Sequence, residues 1–354
     1  MRKEFILATM VAMMAAGAKA QSSVTLFGTV GGGIRWVDGL KGGHQIGFDS
    51  NIQSGNSFGL KGVEDLGQGL KAIFTLQSGF VTGTGGLPST SGPFFSKAAY
   101  VGLGTDVWRI TLGRQLSAAE DVGVSLDPDA GQGTSLAIVP GVVWGGNFFT
   151  LDSRFNNVVK VVGKAGGLTL RGSYSAGGVA GNIHGGSNLA IGATYQYQTV
   201  MIGAAYQKTY NAAASQWAQT AIGGATWQLG PAKLYLSYSG LWVNSPTLAG
   251  IERRDDIPAV GLVYQVTPFL QFSTATYYDI GKNLKYAHGS DGRKLTTYAM
   301  LDYFLSKRTE LYLEYDRNGF SGAYKRDPAN VSGLNLRPDG RAVTGVSVGM
   351  ITQF

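Results

Sequence analysis

The sequence predicts an all-β chain that folds as a transmembrane, sixteen-stranded antiparallel β-barrel. Three observations predict it. Candidate strands of about ten residues recur along the chain, and their side chains alternate between apolar and polar. The connections between them alternate between short and long, which is typical of barrels whose two rims face different compartments. Glycine is abundant, with 54 of 354 residues, whereas proline contributes 10 and cysteine none.

The first twenty residues have the pattern of an export signal. Arg2 and Lys3 form a positive start, residues 5–16 are mostly apolar, and Ala18-Lys19-Ala20 has the small-x-small pattern of a cleavage site. The apolar run is too short to span a membrane as a helix, which takes about twenty residues. We therefore expect residues 1–20 to be a cleaved signal peptide and residues 21–354 to form one barrel domain.

Residues 21–354 contain sixteen segments whose apolar and polar residues alternate. In the last segment Val346, Val348 and Met350 share one face, and Ser347 and Gly349 share the other. The predicted strands are 24–37, 56–66, 69–81, 94–104, 106–116, 153–166, 167–178, 187–199, 200–210, 219–230, 232–243, 253–267, 270–282, 293–306, 309–320 and 341–354. An even number of strands is what a single-chain bacterial barrel requires.

The connections divide into two classes by length. The short ones lie at 66–69, 104–106, 166–167, 230–231, 267–268 and 307–308. The long ones lie at 82–93, 117–152, 179–186, 211–218, 244–252, 283–292 and 321–340. Short turns on one rim and long, polar loops on the other are the outer-membrane pattern, so we expect the long loops to face outside.

Charge and motif content exclude several classes of function. The net charge is +7, and it falls to +5 without the signal peptide, with basic residues scattered singly; we expect no binding to nucleic acid. Catalysis is not expected either, because His44, His184 and His288 lie outside any motif with a serine or carboxylate, and no G-x-S-x-G occurs. Three scattered histidines without cysteine predict no metal site, and no cofactor is expected.

Several motifs, taken in order, resemble one family. They are Ser23-Val24-Thr25-Leu26-Phe27-Gly28, Phe58-Gly59-Leu60-Lys61-Gly62-Val63-Glu64-Asp65-Leu66-Gly67, Gly69-Leu70-Lys71-Ala72-Ile73-Phe74, Ala99-Tyr100-Val101-Gly102-Leu103, Thr111-Leu112-Gly113-Arg114-Gln115, Arg154-Phe155-Asn156-Asn157-Val158-Val159-Lys160, Leu301-Asp302-Tyr303 and Leu305-Ser306-Lys307-Arg308-Thr309-Glu310-Leu311-Tyr312. Together they resemble the sixteen-stranded trimeric porins of neisserial and burkholderial outer membranes, from residue 23 to residue 354.

The resemblance implies a function and a set of partners. It implies a homotrimer in the outer membrane of a Gram-negative bacterium, with a water-filled pore in each subunit for small hydrophilic solutes and ions. It also implies that the third external loop, 117–152, folds into the lumen as a constriction. Outer-membrane lipid, lipopolysaccharide and the barrel-assembly machinery are the expected cellular partners, and Phe354 resembles the terminal signal that this machinery reads.

A porin needs a narrow passage with an electric field rather than a catalytic group. Candidate basic residues of the pore wall are Arg35, Lys61, Lys71, Arg109, Arg114, Arg154, Lys160 and Arg171. By parity with apolar neighbours, all except Arg114 and Arg154 point inward, since a charge facing lipid costs about 2–4 kcal/mol at the midplane. Lys61, Lys71 and Arg114 rank highest because the motifs also contain them.

The acids of the long loop complete the predicted site. They are Glu120, Asp121, Asp127 and Asp129, and we expect them to face the basic wall in a weakly anion-selective pore. Charged residues near the rims, solvated and without effect on selectivity, are the alternative for each position. Two other functions stay open: a substrate-specific porin, with Trp144, Phe148 and Phe149 contacting the solute, and a non-conducting adhesin or structural barrel.

Overall fold

The computed structural model describes residues 22–50, 53, 55–89, 92–128, 145–247, 249–327 and 335–354; the predicted signal peptide lies outside them. The strands of this part of the chain are β1 (Ser23–Leu40), β2 (Gly43–Asp49), β3 (Ser57–Gly67), β4 (Leu70–Gly79), β5 (Ala98–Gly104), β6 (Trp108–Leu116), β7 (Arg154–Ala165), β8 (Leu168–Ser175), β9 (Asn188–Tyr197), β10 (Val200–Tyr210), β11 (Trp217–Leu229), β12 (Ala232–Val243), β13 (Arg253–Thr267), β14 (Leu270–Lys282), β15 (Gly292–Phe304), β16 (Thr309–Gly322) and β17 (Ala342–Gln353).

These strands form one closed antiparallel barrel. From β3 to β17 each strand pairs with its neighbours in chain order, and β1 closes the ring against β17. The first half of β1 pairs with β3, and its second half pairs with β2. Because β2 and β3 lie one after the other along the same edge of β1, they occupy one position in the ring, and the barrel is sixteen-stranded.

The predicted barrel is therefore confirmed, with one addition. Each predicted strand corresponds to an observed one with ends within four residues, whereas β2 lies between the first and second predicted strands, where no strand is predicted. A tight turn at residues 41–42 reverses the chain after β1, and Leu40 then pairs with Gly43. Gly43 has φ of 105°, a conformation that favours glycine, so the hairpin depends on local backbone geometry rather than on alternation.

Side-chain alternation divides every strand into an outer row and an inner row. On β16, Leu311 and Leu313 are 42% and 49% exposed, whereas Tyr312 and Glu314, which alternate with them, are 2% and 0% exposed. Exposed apolar side chains on one face and buried polar ones on the other are the reverse of a soluble barrel and fit a barrel surrounded by lipid. We call the two faces the outer and the inner row.

One helix in the described residues packs on the inner rows. Helix α1 (Ala118–Ser125) begins at Ser117, whose side chain accepts a hydrogen bond from the Glu120 amide. Its apolar side chains pack with inner-row residues of β9, β10 and β11, as the buried cluster Ala118, Ala119, Val122, Leu126, Ala190, Ala205 and Ile222. No helix of the described segments is long and apolar enough to cross a membrane.

Glycine allows α1 to approach the wall closely. A Cβ atom at Gly192 on β9 would lie 2.7 Å from Val122 Cγ2 and 2.9 Å from the Ala118 carbonyl oxygen. Both distances are too short for real atoms, so a larger residue would force the helix away from the strand. The sequence did not predict α1, because eight residues with alanine and glycine give too weak a helical periodicity.

Candidate functional site

The acid side of α1 lies against basic residues of β7 and β8. Lys160 Nζ donates to Asp121 Oδ2 at 2.9 Å and to the Leu116 carbonyl at 3.0 Å. Arg171 Nε lies 4.0 Å from the same Asp121 oxygen, and its Nη1 donates to Thr194 Oγ1 at 3.0 Å. Two predicted wall cations and one predicted loop acid therefore meet in a single cluster.

Arg109 on β6 adds a further positive charge to this wall. It pairs with Val162, which is 4% exposed and belongs to the inner row of β7. Arg109 is exposed, lies close enough to act electrostatically on Arg171, and forms no ion pair with any residue that the structure describes. Arg109 therefore adds a third cation to the wall that contains Lys160 and Arg171.

Glu120, the neighbour of Asp121 on α1, lies in a buried site. Its side chain is 3% exposed and lies near Arg154, the basic residue that opens β7. Burial raises the pKa of Glu120 well above its ordinary value, and the positive charge of Arg154 and a hydrogen bond from Ser153 only partly oppose this rise. These contacts hold the two ends of the long loop together at the base of α1.

The segment after α1 continues along the barrel wall to β13 and β14. The hydroxyl of Tyr277 on β14 donates a short hydrogen bond to Asp127, which is 5% exposed. Pro128 lies against Gly261 of β13. Residues 117–128 therefore contact a continuous arc of strands from β8 to β14, and the predicted acid Asp129 lies outside the described residues.

Arg35 lies on a different part of the wall and has different partners from those predicted. Its guanidinium donates to Glu314 Oε2 at 3.0 Å, to Asp316 Oδ2 at 2.5 Å and to Ser347 Oγ at 2.9 Å, and Asp49 Oδ2 lies 3.9 Å away. The acids that face Arg35 thus come from strands β16 and β2 and not from the long loop. The alternation rule that identified the basic residues on other strands, applied to β16, would have placed Glu314 and Asp316 on the inner face too.

Two of the highest-ranked basic residues lie away from α1. Lys61 on β3 is exposed and lies over the ring of Phe27, 5.5 Å from its centroid. Lys71 on β4 lies at the short-turn rim, where its Nζ donates to Asp106 Oδ1 at 2.7 Å. Asp106 belongs to the turn before β6 and is 88% exposed, so this pair is solvated. Neither lysine contacts the loop acids among the residues described.

Arg114 lies outside the inner row by simple alternation with Thr111 and Gln115, and it lies opposite a bulge whose extra residue is in β7. The pairing of β6 with β7 shifts register between Gly113 and Gln115, and the inner row passes from Thr111 to Gln115. The Arg114 side chain instead donates to the Ser96 carbonyl, to Asn156 Oδ1 and to Asp152 Oδ2, the last at 2.7 Å. Asp152 is a loop acid that the sequence reasoning missed, although it lies two residues before β7.

The aromatic residues of the long loop pack against the wall. Phe148 and Phe149 meet edge to face, with ring centroids 5.4 Å apart, and Phe148 lies under the guanidinium of Arg253 at 5.4 Å. Both belong to the partly buried edge of a cluster that includes Tyr277. Packing against the barrel therefore accounts for these two side chains, and Trp144 lies outside the described residues.

Phe354 takes part in the closure of the barrel. Its amide donates to the Gly28 carbonyl, and its carbonyl accepts from the Gly28 amide, both at 3.1 Å. The ring covers Gly28, where a Cβ atom would lie 2.6 Å from it, and is 44% exposed on the outer surface. The last residue is thus paired with the first strand.

A closed antiparallel barrel with an exposed apolar outer row is the architecture of transmembrane β-barrels. The model of the Gram-negative porin family matches residues 8–323, and the chain belongs to that family, as its motifs predicted. An outer membrane porin protein of Bordetella pertussis is 36% identical over 143 residues, which are 36% of this chain and 37% of that protein. Outer membrane porin protein 32 of Delftia acidovorans is 37% identical over 115 residues, 32% of each chain.

Solved structures extend the similarity to the whole barrel. The anion-selective porin from Comamonas acidovorans superposes with a TM-score of 0.76 at 22% identity, covering 94% of this chain and 100% of that one. A trimer form of OmpT from Vibrio cholerae superposes with a TM-score of 0.67 at 12% identity. At these identities the superpositions establish the fold, whereas the sequence alignments span about a third of the curated relatives.

Proposed function

We propose that this chain forms a water-filled channel in the outer membrane, through which small hydrophilic solutes and ions diffuse passively with a modest preference for anions. The observation that carries the proposal is the difference in exposure between the charges of the inner rows. Arg109 and Lys61 are exposed. The carboxylates that are at most 5% exposed are Glu120, Asp127, Asp255, Asp279, Asp302, Glu314 and Asp316.

Exposure matters because a permeating ion interacts with charges that solvent reaches. A carboxylate that is bound to arginine, as Glu314 is to Arg35, contributes little net field to the passage. Arg109 and Lys61 form no ion pair among the described residues. Arg171, which shares Asp121 with Lys160, is proposed to add to this field, whereas Lys160 is 5% exposed and bound to Asp121. The anion selectivity of the Comamonas acidovorans porin agrees with this reasoning.

The long loop 117–152 is proposed to narrow the passage. Its support is the packing of α1 on the inner rows of β8 to β11 and the bond between Asp127 and Tyr277. Anchoring of the loop through α1 and through Asp127 would hold it across the lumen, and Arg109 would stay exposed to solvent. The eyelet would then lie between α1 and the wall that contains Arg35, with Lys71 and Arg114 outside it.

Family membership supports a proposal for how the chain is assembled and located. The proposed unit is a homotrimer exported through a cleaved signal peptide and inserted by the barrel-assembly machinery, with Phe354 as its recognition signal. The closure contact between Phe354 and Gly28 supports this role, because the signal would become part of the ring only when the barrel closes. No catalytic activity is proposed.

The test is single-channel conductance of the refolded protein under a KCl gradient. We expect conductance steps in groups of three and a reversal potential that favours chloride. Arg109→Glu should shift the reversal potential toward potassium, because it inverts an exposed charge on the inner row. Lys307→Glu is the matched control, since it inverts a charge in the short turn before β16 and should leave selectivity unchanged.

Other outcomes separate the alternatives. A folded barrel without conductance would exclude the channel and favour an adhesin or structural barrel. Saturable conductance inhibited by one solute class would favour a substrate-specific porin. Preference for potassium in the unaltered protein would mean that the loop acids, rather than the exposed cations, dominate the eyelet.

A further inference from the structure

The last long loop is attached to the inner wall of the barrel by one tyrosine. A short 3-10 helix (Ala323–Arg326) follows β16, and Tyr324 within it is 3% exposed. Its hydroxyl lies within hydrogen-bond distance of Asp255 Oδ1 and 2.8 Å from Asp279 Oδ2. These carboxyl groups belong to the inner rows of β13 and β14, so the start of the loop folds inward over β15 to reach them.

The end of the same loop is attached to the hairpin of β1 and β2. The Lys41 amide donates to the Asn335 carbonyl at 3.0 Å, and the Arg337 amide donates to the Gly39 carbonyl at 2.9 Å. Both are backbone hydrogen bonds, which do not titrate. The attachment at Tyr324 is made by side chains, so pH acts on the start of the loop and not on its end.

The hydroxyl of Tyr324 has one hydrogen, yet two carboxyl groups lie within bonding distance of it. An ionised carboxylate can only accept hydrogen bonds. Asp255 accepts from Arg253 Nε at 2.8 Å and from its Nη2 at 2.9 Å, so it is the ionised partner and also accepts the hydrogen of Tyr324. The contact between Asp279 and the Tyr324 oxygen then needs a second hydrogen, which a protonated Asp279 supplies.

Burial and charge balance also support a proton on Asp279. Its side chain is 1% exposed, and Oδ1 has no hydrogen-bond partner among the described residues, which costs less for a neutral carboxyl than for a carboxylate. The charged groups that face the contact are the cations Arg253 and Lys294 and the carboxyl groups Asp255, Asp279 and Asp327. One proton on a carboxyl group therefore makes this buried cluster neutral.

Tyr324 itself keeps its proton. Burial and the neighbouring carboxyl groups of Asp255 and Asp279 raise the pKa of Tyr324 well above its ordinary value. Its hydroxyl therefore stays protonated over the range in which carboxyl groups titrate, and Asp279 is the group whose protonation changes.

We propose that this contact is a pH-dependent anchor, in which protonated Asp279 holds residues 323–327 on the inner wall at the mouth of the barrel and ionised Asp279 releases them. At low pH, Asp279 donates to Tyr324 and Tyr324 donates to Asp255. When the pH rises, Asp279 loses its proton to water, two carboxylates compete for one hydrogen, and the buried cluster gains a net negative charge. Attachment is therefore complete at low pH and is lost as pH increases.

Release of the anchor would reach the long loop as well as the mouth. Arg253, which binds Asp255, lies 3.9 Å from Asp327 of the last loop and lies over the ring of Phe148 in the long loop at 5.4 Å. We expect residues 323–327 to leave the inner rows at high pH and the mouth to widen. The effect on conductance rests on the channel proposed above, whereas the attachment of the loop does not.

Hydrogen–deuterium exchange of the refolded protein, followed by mass spectrometry, measures the attachment. The Ala323 amide donates to the Asp291 carbonyl at 2.9 Å, so exchange in peptides that contain it reports release of the helix. After correction for the intrinsic pH dependence of exchange, we expect a rise on the order of tenfold between about pH 5 and about pH 9, as for loss of a hydrogen bond to a charged group.

Two variants should remove this pH dependence in opposite directions. Asp279→Asn keeps a donor toward Tyr324 at every pH and should stay attached. Tyr324→Phe loses both contacts and should exchange about tenfold faster even at about pH 5. Asp256→Asn and Tyr315→Phe change the same residue types on outer rows, so as matched controls they should follow the unaltered protein.

Two results would overturn the proposal: exchange in the unaltered protein that follows only the intrinsic pH dependence, or an Asp279→Asn variant that retains the pH dependence. If Asp279→Asn does not form the barrel, the pH series and Tyr324→Phe decide. Single-channel conductance should increase with pH in the unaltered protein and not in Asp279→Asn. A barrel that releases the loop but does not conduct contradicts only the channel.

Discussion

On the wall formed by β7 and β8 the strands contribute the cations and α1 contributes the acid, whereas on the wall formed by β1 and β16 the strands contribute both. Lys160 and Arg171 share Asp121 of the helix. Arg35 is bound by Glu314 and Asp316 on a neighbouring part of the ring. The first arrangement depends on the position of a loop, and the second is complete within the barrel.

This difference has a physical consequence. Strand partners are fixed by the ladder of backbone hydrogen bonds, so the Arg35 cluster should persist wherever the barrel is closed. The Asp121 cluster should be lost when α1 leaves the wall, which would expose Lys160 and Arg171 and increase the positive field. We therefore expect the β1 and β16 wall to contribute mainly to stability, and the β7 and β8 wall to be where the proposed constriction by the loop acts.

The largest expected effect comes from Arg35→Met. It leaves Glu314 and Asp316, which are 0% and 2% exposed, without their cation, so we expect the free energy of unfolding to fall by about 3–5 kcal/mol. Urea unfolding in detergent, followed by tryptophan fluorescence, measures it. Arg317→Met on the outer row of the same strand, where the guanidinium contacts Thr344, is the matched control. An equal loss in both would contradict the special role of the cluster.

Gly192→Val tests the close approach of α1. The new side chain would collide with Val122 and the Ala118 carbonyl, so we expect a loss of about 1–3 kcal/mol together with altered single-channel conductance. Gly172→Val on the adjacent strand is the control, because a Cβ atom there meets nothing within 4 Å. If both variants conducted like the unaltered protein, α1 would not determine the size of the passage.

Ser117→Ala tests the start of α1 with a smaller change. The Ser117 hydroxyl accepts from the Glu120 amide at 3.1 Å and donates to Gln207 Oε1 at 3.1 Å, so its loss should lower stability by about 1 kcal/mol. Ser125→Ala at the other end of the helix, which removes one bond to the Val122 carbonyl, should have less effect. Thermal unfolding followed by circular dichroism distinguishes the two.

Glu120→Gln should change only the pH dependence of stability. Burial raises the pKa of Glu120 in the folded protein, so the folded state binds this proton more tightly than the unfolded state does. Its contribution to stability is complete below the unfolded pKa of about 4.5 and is lost as pH rises through the folded value. The unaltered protein should therefore lose stability relative to the variant as pH increases from 4.5. Parallel urea-unfolding curves across this range would contradict the assignment.

Strand positions and the assignment of side chains to rows follow from the sequence because both depend on a period of two residues. Arg35, Lys61 and Lys160 could be assigned to the inner face from their immediate neighbours alone. Arg114 obeys the same rule and falls outside the inner row of Thr111 and Gln115, whereas the extra residue of β7 opposite it depends on how the two strands pair. The same pairing brings Asp152 to Arg114.

The sequence by itself determined the barrel and the family, and it predicted the face of several charged residues, since these depend on local alternation and on motifs. Only the tertiary structure decided which charges meet. It bound Arg35 to Glu314 across 279 positions of sequence, placed α1 against Gly192, and brought Tyr324 to Asp255 and Asp279. The physical reason is register. A shift of one residue between paired strands gives every side chain a different cross-strand partner, while the apolar and polar pattern along each strand stays unchanged.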